Sequence, residues 1–458
     1  MWLLSFRPRE RGAFRQLVHS MSMGVRRYIG PVTLPQRLAD IAEVLAPVRD
    51  VIDGRVSEAE APAWCDDRGW TPWLSGLTDD QLASFDRGAW PSEEEGAPLD
   101  LAALGASVRD VLAWIPHAES SVEGLGVAHQ RKDRQVEALL GVVAGGSWKP
   151  RRVVDFGSGL GRLTRALAKA LEIPTLGIER DAARVARAEL ANEDERVRFT
   201  VHAVRAPASE GDRDVASRRD VQVAGRDDET MDGTGRADGT ESDVRFCHED
   251  LLVGLHTCGG LGDAVVQSAI RSGAGIALVG CCLQKIDGSA REPLSAAGRN
   301  GGLRLSRDVL GLTNLAGRAH GVGGSAVQIA ERRELRHALR LLLAGRGIVV
   351  EAGAESRGVT RRRFDRGLAD AAGHAFARRG LQPPSAAELE AAVSRARREF
   401  PLIRRLSVPR VLLGRLLEVA VVLDRACVLH EAGRSVTVQP VFGANVSPRN
   451  LGLVAAPA

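Results

Sequence analysis

Lysine is nearly missing from this 458-residue chain: Lys132, Lys149, Lys169 and Lys285 are the whole complement among 62 basic residues. The other cationic side chains are arginine and the chain is rich in alanine and glycine, as a GC-biased coding sequence produces. Where arginine is the mutational default, a retained lysine marks a site needing a compact ammonium, the alternative being retention by chance. Long apolar runs are missing too. None reaches the roughly 18 residues a membrane span needs, so no membrane partner is expected. The opening "MWLLSFRPRERGAFRQLV" has a short apolar core and no small-residue cleavage site, which argues against a secretory leader. Met21 and Met23 are alternative starts that would leave the first 20 residues untranslated. With only six cysteines, two of them adjacent at Cys281 and Cys282, a disulfide framework is excluded. The expected location is the cytoplasm. Paired CxxC spacings are absent, so no metal site is expected even though His256, Cys258, Cys281 and Cys282 have ligand chemistry. There is no internal repeat.

What remains is ordinary for a soluble globular protein: 44% hydrophobic and 26% charged residues, in a length that suits two or three domains. All seven tryptophans lie between Trp2 and Trp148, and this shift in composition marks a boundary. Residues 1–130 are predicted to form a helical N-terminal domain, with helical periodicity in "LPQRLADIAEVLAPVRDVI" and "LAALGASVRDVLAWI". A helix start is expected at Thr78, with Asp79 and Asp80 in its first turn. The aromatics here read as core or lid rather than as a nucleic-acid stacking platform.

From Arg152 onward strands and helices alternate, which predicts a mostly parallel sheet covered on both faces. Strands are expected at Val153–Phe156, Thr175–Ile178, Val197–Val201, Leu251–His256 and Gly275–Gly280. Helices are expected at Arg162–Leu171, Ala182–Ala191 and Asp263–Ser272. The core spans residues 131–287, interrupted by a polar stretch at 207–243 that reads as a disordered insertion. Residues 288–420 read as a helical insertion. Residues 421–458 complete the sheet with strands Ser435–Val441 and Leu451–Ala455, joined by "FGANVSPRN".

The stretch "VVDFGSGLGRLTRAL" places Asp155, Gly157, Ser158, Gly159 and Gly161 between a strand and a helix. Such glycines turn the chain sharply and let backbone N–H groups approach a ligand. The next strand ends in Glu179, placed to accept hydrogen bonds from ribose hydroxyls. An acidic residue ahead of the first glycine favours S-adenosylmethionine (SAM) over a dinucleotide, with Asp155 organising the loop and holding the ligand's ammonium directly or through water. A nicotinamide or flavin site and a vestigial site are the alternatives.

Ligands of open parallel sheets lie beyond the strands' carboxyl ends. There "GLHTCGG" places His256 and Cys258, "VGCCLQKI" places Cys281, Cys282 and Lys285, and the last hairpin offers Ser447, Arg449 and Asn450. The hairpin loop joins this edge if its first strand runs parallel to the others. Together these motifs resemble the methyltransferase domain of methyltransferase-like protein twenty-five and its relatives, in a bacterial-type form. That family carries, in the same order, "GLHTCGDL", "VGCCY…KL", "GFPLS" and "SPRN" elements. The last two are matched here by "GGLRLS" and by Ser447–Asn450, and the segment around Lys132 looks like the family's Lys-containing segment ahead of the glycines. The likeness covers about residues 125–458. It departs at Leu283, where the family has an aromatic, and at Gly260, where it has Asp, with Asp263 three residues on.

The resemblance implies an α/β, Rossmann-like class I SAM-dependent methyltransferase sheet, mostly parallel, with a C-terminal antiparallel hairpin. Lys132, Asp155, Gly157, Ser158, Gly159, Gly161 and Glu179 are the expected cofactor residues. His256 is the candidate base, because an imidazole titrates near working pH; a structural histidine at a strand end is the alternative. Cys258 and Lys285 join it as catalytic candidates. Cys281, Cys282, Ser447, Arg449 and Asn450 are the expected substrate-binding set, with Arg449 suited to a phosphate. The acceptor is expected to be a macromolecule, RNA ahead of protein, since the mild net charge of +4 permits an RNA partner. A non-catalytic scaffold is the rival class. Oligomeric state leaves no signature in the sequence.

Overall fold

The computed structural model describes residues 32–116, 128–146, 149–204, 244–316, 326–350 and 353–458. The alternative starts and the 207–243 insertion lie outside these residues. Seven strands form one sheet: β1 (Arg152–Phe156), β2 (Thr175–Glu179), β3 (Val197–Val201), β4 (Asp250–Cys258), β5 (Gly275–Cys281), β8 (Val436–Pro440) and β9 (Leu451–Ala455). A separate two-stranded pair, β6 (Ala290–Arg291) with β7 (Leu305–Ser306), lies in the stretch expected to be helical.

The longer helices are α1 (Leu34–Leu45), α2 (Asp79–Asp86), α3 (Leu99–Leu112), α4 (Ala128–Ala144), α5 (Arg162–Leu171), α6 (Ala182–Leu190), α7 (Gly260–Ser272), α8 (Arg307–Ala316), α9 (Ala326–Gly345), α10 (Leu368–Ala377), α11 (Ala386–Leu406) and α12 (Gly414–Glu431). The expected start at Thr78 is made by a capping box, Thr78 with Gln81, at the head of α2.

The sheet order is β3-β2-β1-β4-β5-β9-β8, with β9 antiparallel to both neighbours and the other contacts parallel. This is a Rossmann-like sheet whose strand order reverses between β1 and β4, the place where such sheets set a ligand beyond their carboxyl ends. Because β9 opposes both β5 and β8, β8 runs parallel to β5. The 441–450 loop therefore opens on the same edge as the tips of β1, β2, β4 and β5.

Alternate residues of the central strands face opposite cores. Val153, Leu251, Val253, Ala277 and Val279 pack under α4 and α5 with Val136, Leu139, Leu163 and Leu167. Val154, Leu252, Ile276 and Leu278 face α7 and α12 on the other side. That second core also takes in Leu38, Ile41 and Leu45 of α1 and Trp64, Trp70 and Leu101. The expected boundary at 130 therefore does not separate two cores, because α1 packs on α12. The boundary expected at 420 falls inside α12. Helices α9, α10 and α11 close a smaller cluster of their own around Leu339, Phe376 and Ala396. Among the described residues no helix is long and apolar enough to cross a membrane.

Candidate functional site

At the tip of β1 the chain turns through Gly157, Gly159 and Gly161, all at positive φ, before entering α5. Gly157 and Ser158 donate their N–H groups to the Ile178 carbonyl at 2.8 and 3.1 Å, tying the loop to β2. Glu179 reaches back from β2: its carboxylate accepts from Gly159 N at 3.1 Å, Arg180 N at 2.9 Å and Asp181 N at 3.2 Å. Asp155 lies beneath the loop, buried, and accepts from the Thr164 hydroxyl at 2.7 Å. Burial pushes its carboxyl up to about 7, the Thr164 hydrogen bonds opposing and the Glu179 charge adding.

The glycines divide the work. A Cβ on Gly161 would sit 2.3 Å from the Phe199 ring, so this residue serves helix–strand packing. A Cβ on Gly159 would meet nothing closer than the Gly157 carbonyl at 4.0 Å, so the loop is open above this residue.

The tips of β4 and β5 carry the second half of the site. Register slips at a bulge between Leu255 and Thr257, and His256, at the bulge, has φ +63°. Cys282, just past β5, has φ +31°. Each non-glycine residue held there costs on the order of 1–3 kcal/mol. His256 Nε2 lies 2.8 Å from Gln135 Oε1 on α4. With that amide oxygen as acceptor, Nε2 carries the proton and Nδ1 keeps the lone pair. Burial holds the imidazole below its usual range, the Cys282 charge opposing and the Lys132 charge adding. Exposed Lys132 thus sits near His256, and Gln135, one helical turn on, is the site residue that sequence reasoning missed. Its three-residue spacing from Lys132 was the available signal.

Cys258 and Cys281 are register partners, with Sγ atoms 3.0 Å apart and each within 3.4 Å of the His256 carbonyl. Hydrogen bonds from Cys258 and Cys281 hold the Cys282 thiol far below the ordinary range, against burial, and the Lys285 and Arg449 charges add to them. The Cys281 thiol is pushed up by its hydrogen bonds with Cys258 and Cys282, and that of Cys258 is also raised. Of the three thiols, Cys282 is the one whose ionisation these neighbours favour.

A close crossing locks this arrangement. Gly260 N donates to the Lys285 carbonyl at 2.9 Å, and a Cβ on Gly259 would meet that oxygen at 1.9 Å. Beneath it, Arg425 donates to Asp263 and to the Gly259 carbonyl, each at 2.8 Å. Arg291 bridges Asp263 and Asp424. Burial opposes ionisation of Asp263, but Arg291 and Arg425 hold its carboxyl below the usual range. Asp263 is thus part of a buried four-charge network under the strand tips.

The hairpin loop is also built into the protein. Arg449 is buried, with one terminal nitrogen on Glu418 at 3.2 Å and the other on Asn314 at 3.0 Å. Asn450 binds the Phe442 carbonyl and Arg415, and Ser447 accepts from Arg449 N. In place of an open phosphate clamp, the "SPRN" loop presents a tied frame with one cation beside Cys282. The structure therefore brings the glycine loop, Glu179, His256, the three cysteines, Lys285 and Arg449 to one edge. Ser447 and Asn450 hold the loop that supports them.

Residues 131–289 match a family model described as a methyltransferase domain. No curated protein matches the chain. Among solved structures it is similar to the sugar N-methyltransferase KedS8 from Streptoalloteichus sp ATCC 53650, at 11% identity and a TM-score of 0.20. That alignment covers 36% of this chain and 59% of the other, so the chain spans under two thirds of that structure.

Proposed function

We propose, from a methyltransferase domain at residues 131–289, that the chain is a SAM-dependent methyltransferase with a macromolecular acceptor, RNA ahead of protein. The observation that carries this reading is the meeting, at one sheet edge, of a glycine loop held by Glu179 and a second tip bearing His256 and Lys285. The residues fit the donor. Ser158 Oγ is buried at the loop without a hydrogen-bond partner, and the space above Gly159 is open. In this reading Glu179 would accept from ribose hydroxyls, Gly157–Gly159 would allow close backbone approach, and Asp155 and Lys132 would hold the amino-acid portion.

When bound, SAM supplies a methyl group on a sulfonium, and the protein's task is alignment and exclusion of water. His256 Nδ1 is the acceptor for the substrate's proton, with Gln135 fixing the ring from α4. Lys285 meets negative charge on the acceptor. Arginine-rich surfaces suit a phosphate backbone, and this favours RNA. The six cysteines are free thiols, which suits the reducing cytoplasm.

The test is transfer of labelled methyl from SAM into a cell lysate, followed by nuclease or protease digestion. The proposal expects label that nuclease releases. Label released only by protease moves the acceptor to protein. Cofactor binding without any transfer makes the chain a scaffold.

A further inference from the structure

We propose that Cys258, Cys281 and Cys282 together bind a soft divalent metal ion, zinc by preference, at the joined tips of β4 and β5. The three Sγ atoms all lie within 4.8 Å of one another. Around a tetrahedral zinc with Zn–S of about 2.3 Å, sulfur atoms stand roughly 3.8 Å apart, so small side-chain shifts reach that spacing, the Cys258–Cys281 pair opening from 3.0 Å. The backbone has already done the larger part. Cys258 and Cys281 are paired across parallel strands, and Cys282 is held at positive φ beside them.

Soft thiolates select zinc over magnesium or calcium. Three thiolates on a divalent ion leave one net negative charge, and the two cations whose charges act on Cys282 are Lys285 and Arg449. Binding displaces the thiol protons to solvent. Three protein ligands leave a fourth tetrahedral position for water or an exogenous donor. The absence of CxxC pairs hid this site in the sequence, because its ligands come from two strands that the sheet pairs.

The experiment uses the full chain, purified anaerobically under reducing conditions, stripped of metal and titrated with cobalt(II) and then zinc. The expected result is one equivalent of cobalt with thiolate-to-metal charge-transfer absorption, displaced by zinc. In mass-spectrometric alkylation, zinc should protect Cys258, Cys281 and Cys282 at least tenfold and leave exposed Cys247 unprotected. Cys282→Ser should weaken cobalt binding at least tenfold, with Cys247→Ser unchanged. Alkylation mapping needs no substitution, so a misfolded variant does not remove the test. Binding without charge transfer, or equal alkylation of the three thiols with and without zinc, overturns the proposal. SAM binding is measured separately, so failure here leaves the methyltransferase reading standing, and the reverse holds.

Discussion

Single side chains carry the chemistry, and two of them make sharp predictions. His256→Ala should leave SAM affinity within twofold of wild type and lower turnover at least 100-fold, as expected for loss of a general base. Equal turnover would assign the imidazole to structure. Asp155 makes a prediction about pH. Its carboxyl stands at about 7 in the fold against 3.8 unfolded, so between those values the native state holds the extra proton. Its contribution to stability is full below pH 3.8, declines as pH rises and is gone once pH passes about 7. The total is at most about 4 kcal/mol. Denaturant titrations should therefore show wild type losing stability relative to Asp155→Asn between pH 4 and 8, and parallel profiles would refute the assignment. Asp155 and Glu179 were legible because both are fixed by spacing around one glycine turn. Gln135 and Arg425 were less so, since each acts on a residue more than 100 positions away. Only the folded sheet makes those pairs neighbours.

At the scale of elements, the turn between β1 and α5 holds one glycine packed against Phe199 and another that faces open space. Gly161→Ala forces a Cβ into Phe199 at positive φ and should destabilise by about 2–4 kcal/mol. Gly159→Ala meets open space, should cost only about 1 kcal/mol of folding stability, and should lower SAM affinity instead. Thermal melts and calorimetry on both variants check the contrast, and the same stability loss in each would contradict it. Regular elements were readable where the apolar period was long. Strands Val197–Val201 and Leu451–Ala455 and helix Arg162–Leu171 appear with the expected bounds. Helix α7 starts at Gly260 rather than at Asp263, because Gly259 makes a turn that depends on the distant Lys285 carbonyl. The two-residue strands β6 and β7 are too short to leave a period. Cys258, Cys281 and Cys282 were seen as strand-end residues, but their convergence is a property of strand pairing.

For the whole molecule, the unexpected feature is a core shared across the chain's length. Composition marked off the tryptophan-containing segment, yet Trp64 and Trp70 are buried in the same cluster as Leu416 and Leu417 of α12. Arg404 pairs with Asp86 at 2.7 Å, and Arg410 donates to the carbonyls of Val51 and Ile52. Leu417→Ala, which removes no tryptophan, should cost about 2–5 kcal/mol and shift the unfolding transition seen by tryptophan fluorescence as far as that seen by circular dichroism. An unmoved fluorescence transition would show separate cores. Helices from both ends of the described chain thus share one buried core against the sheet. Calorimetric titration of SAM into wild type and Glu179→Ala tests the strand-tip edge most directly. The account predicts one site per chain in wild type and at least a tenfold weaker affinity in the variant. No binding by wild type, or the same affinity in both proteins, would contradict it.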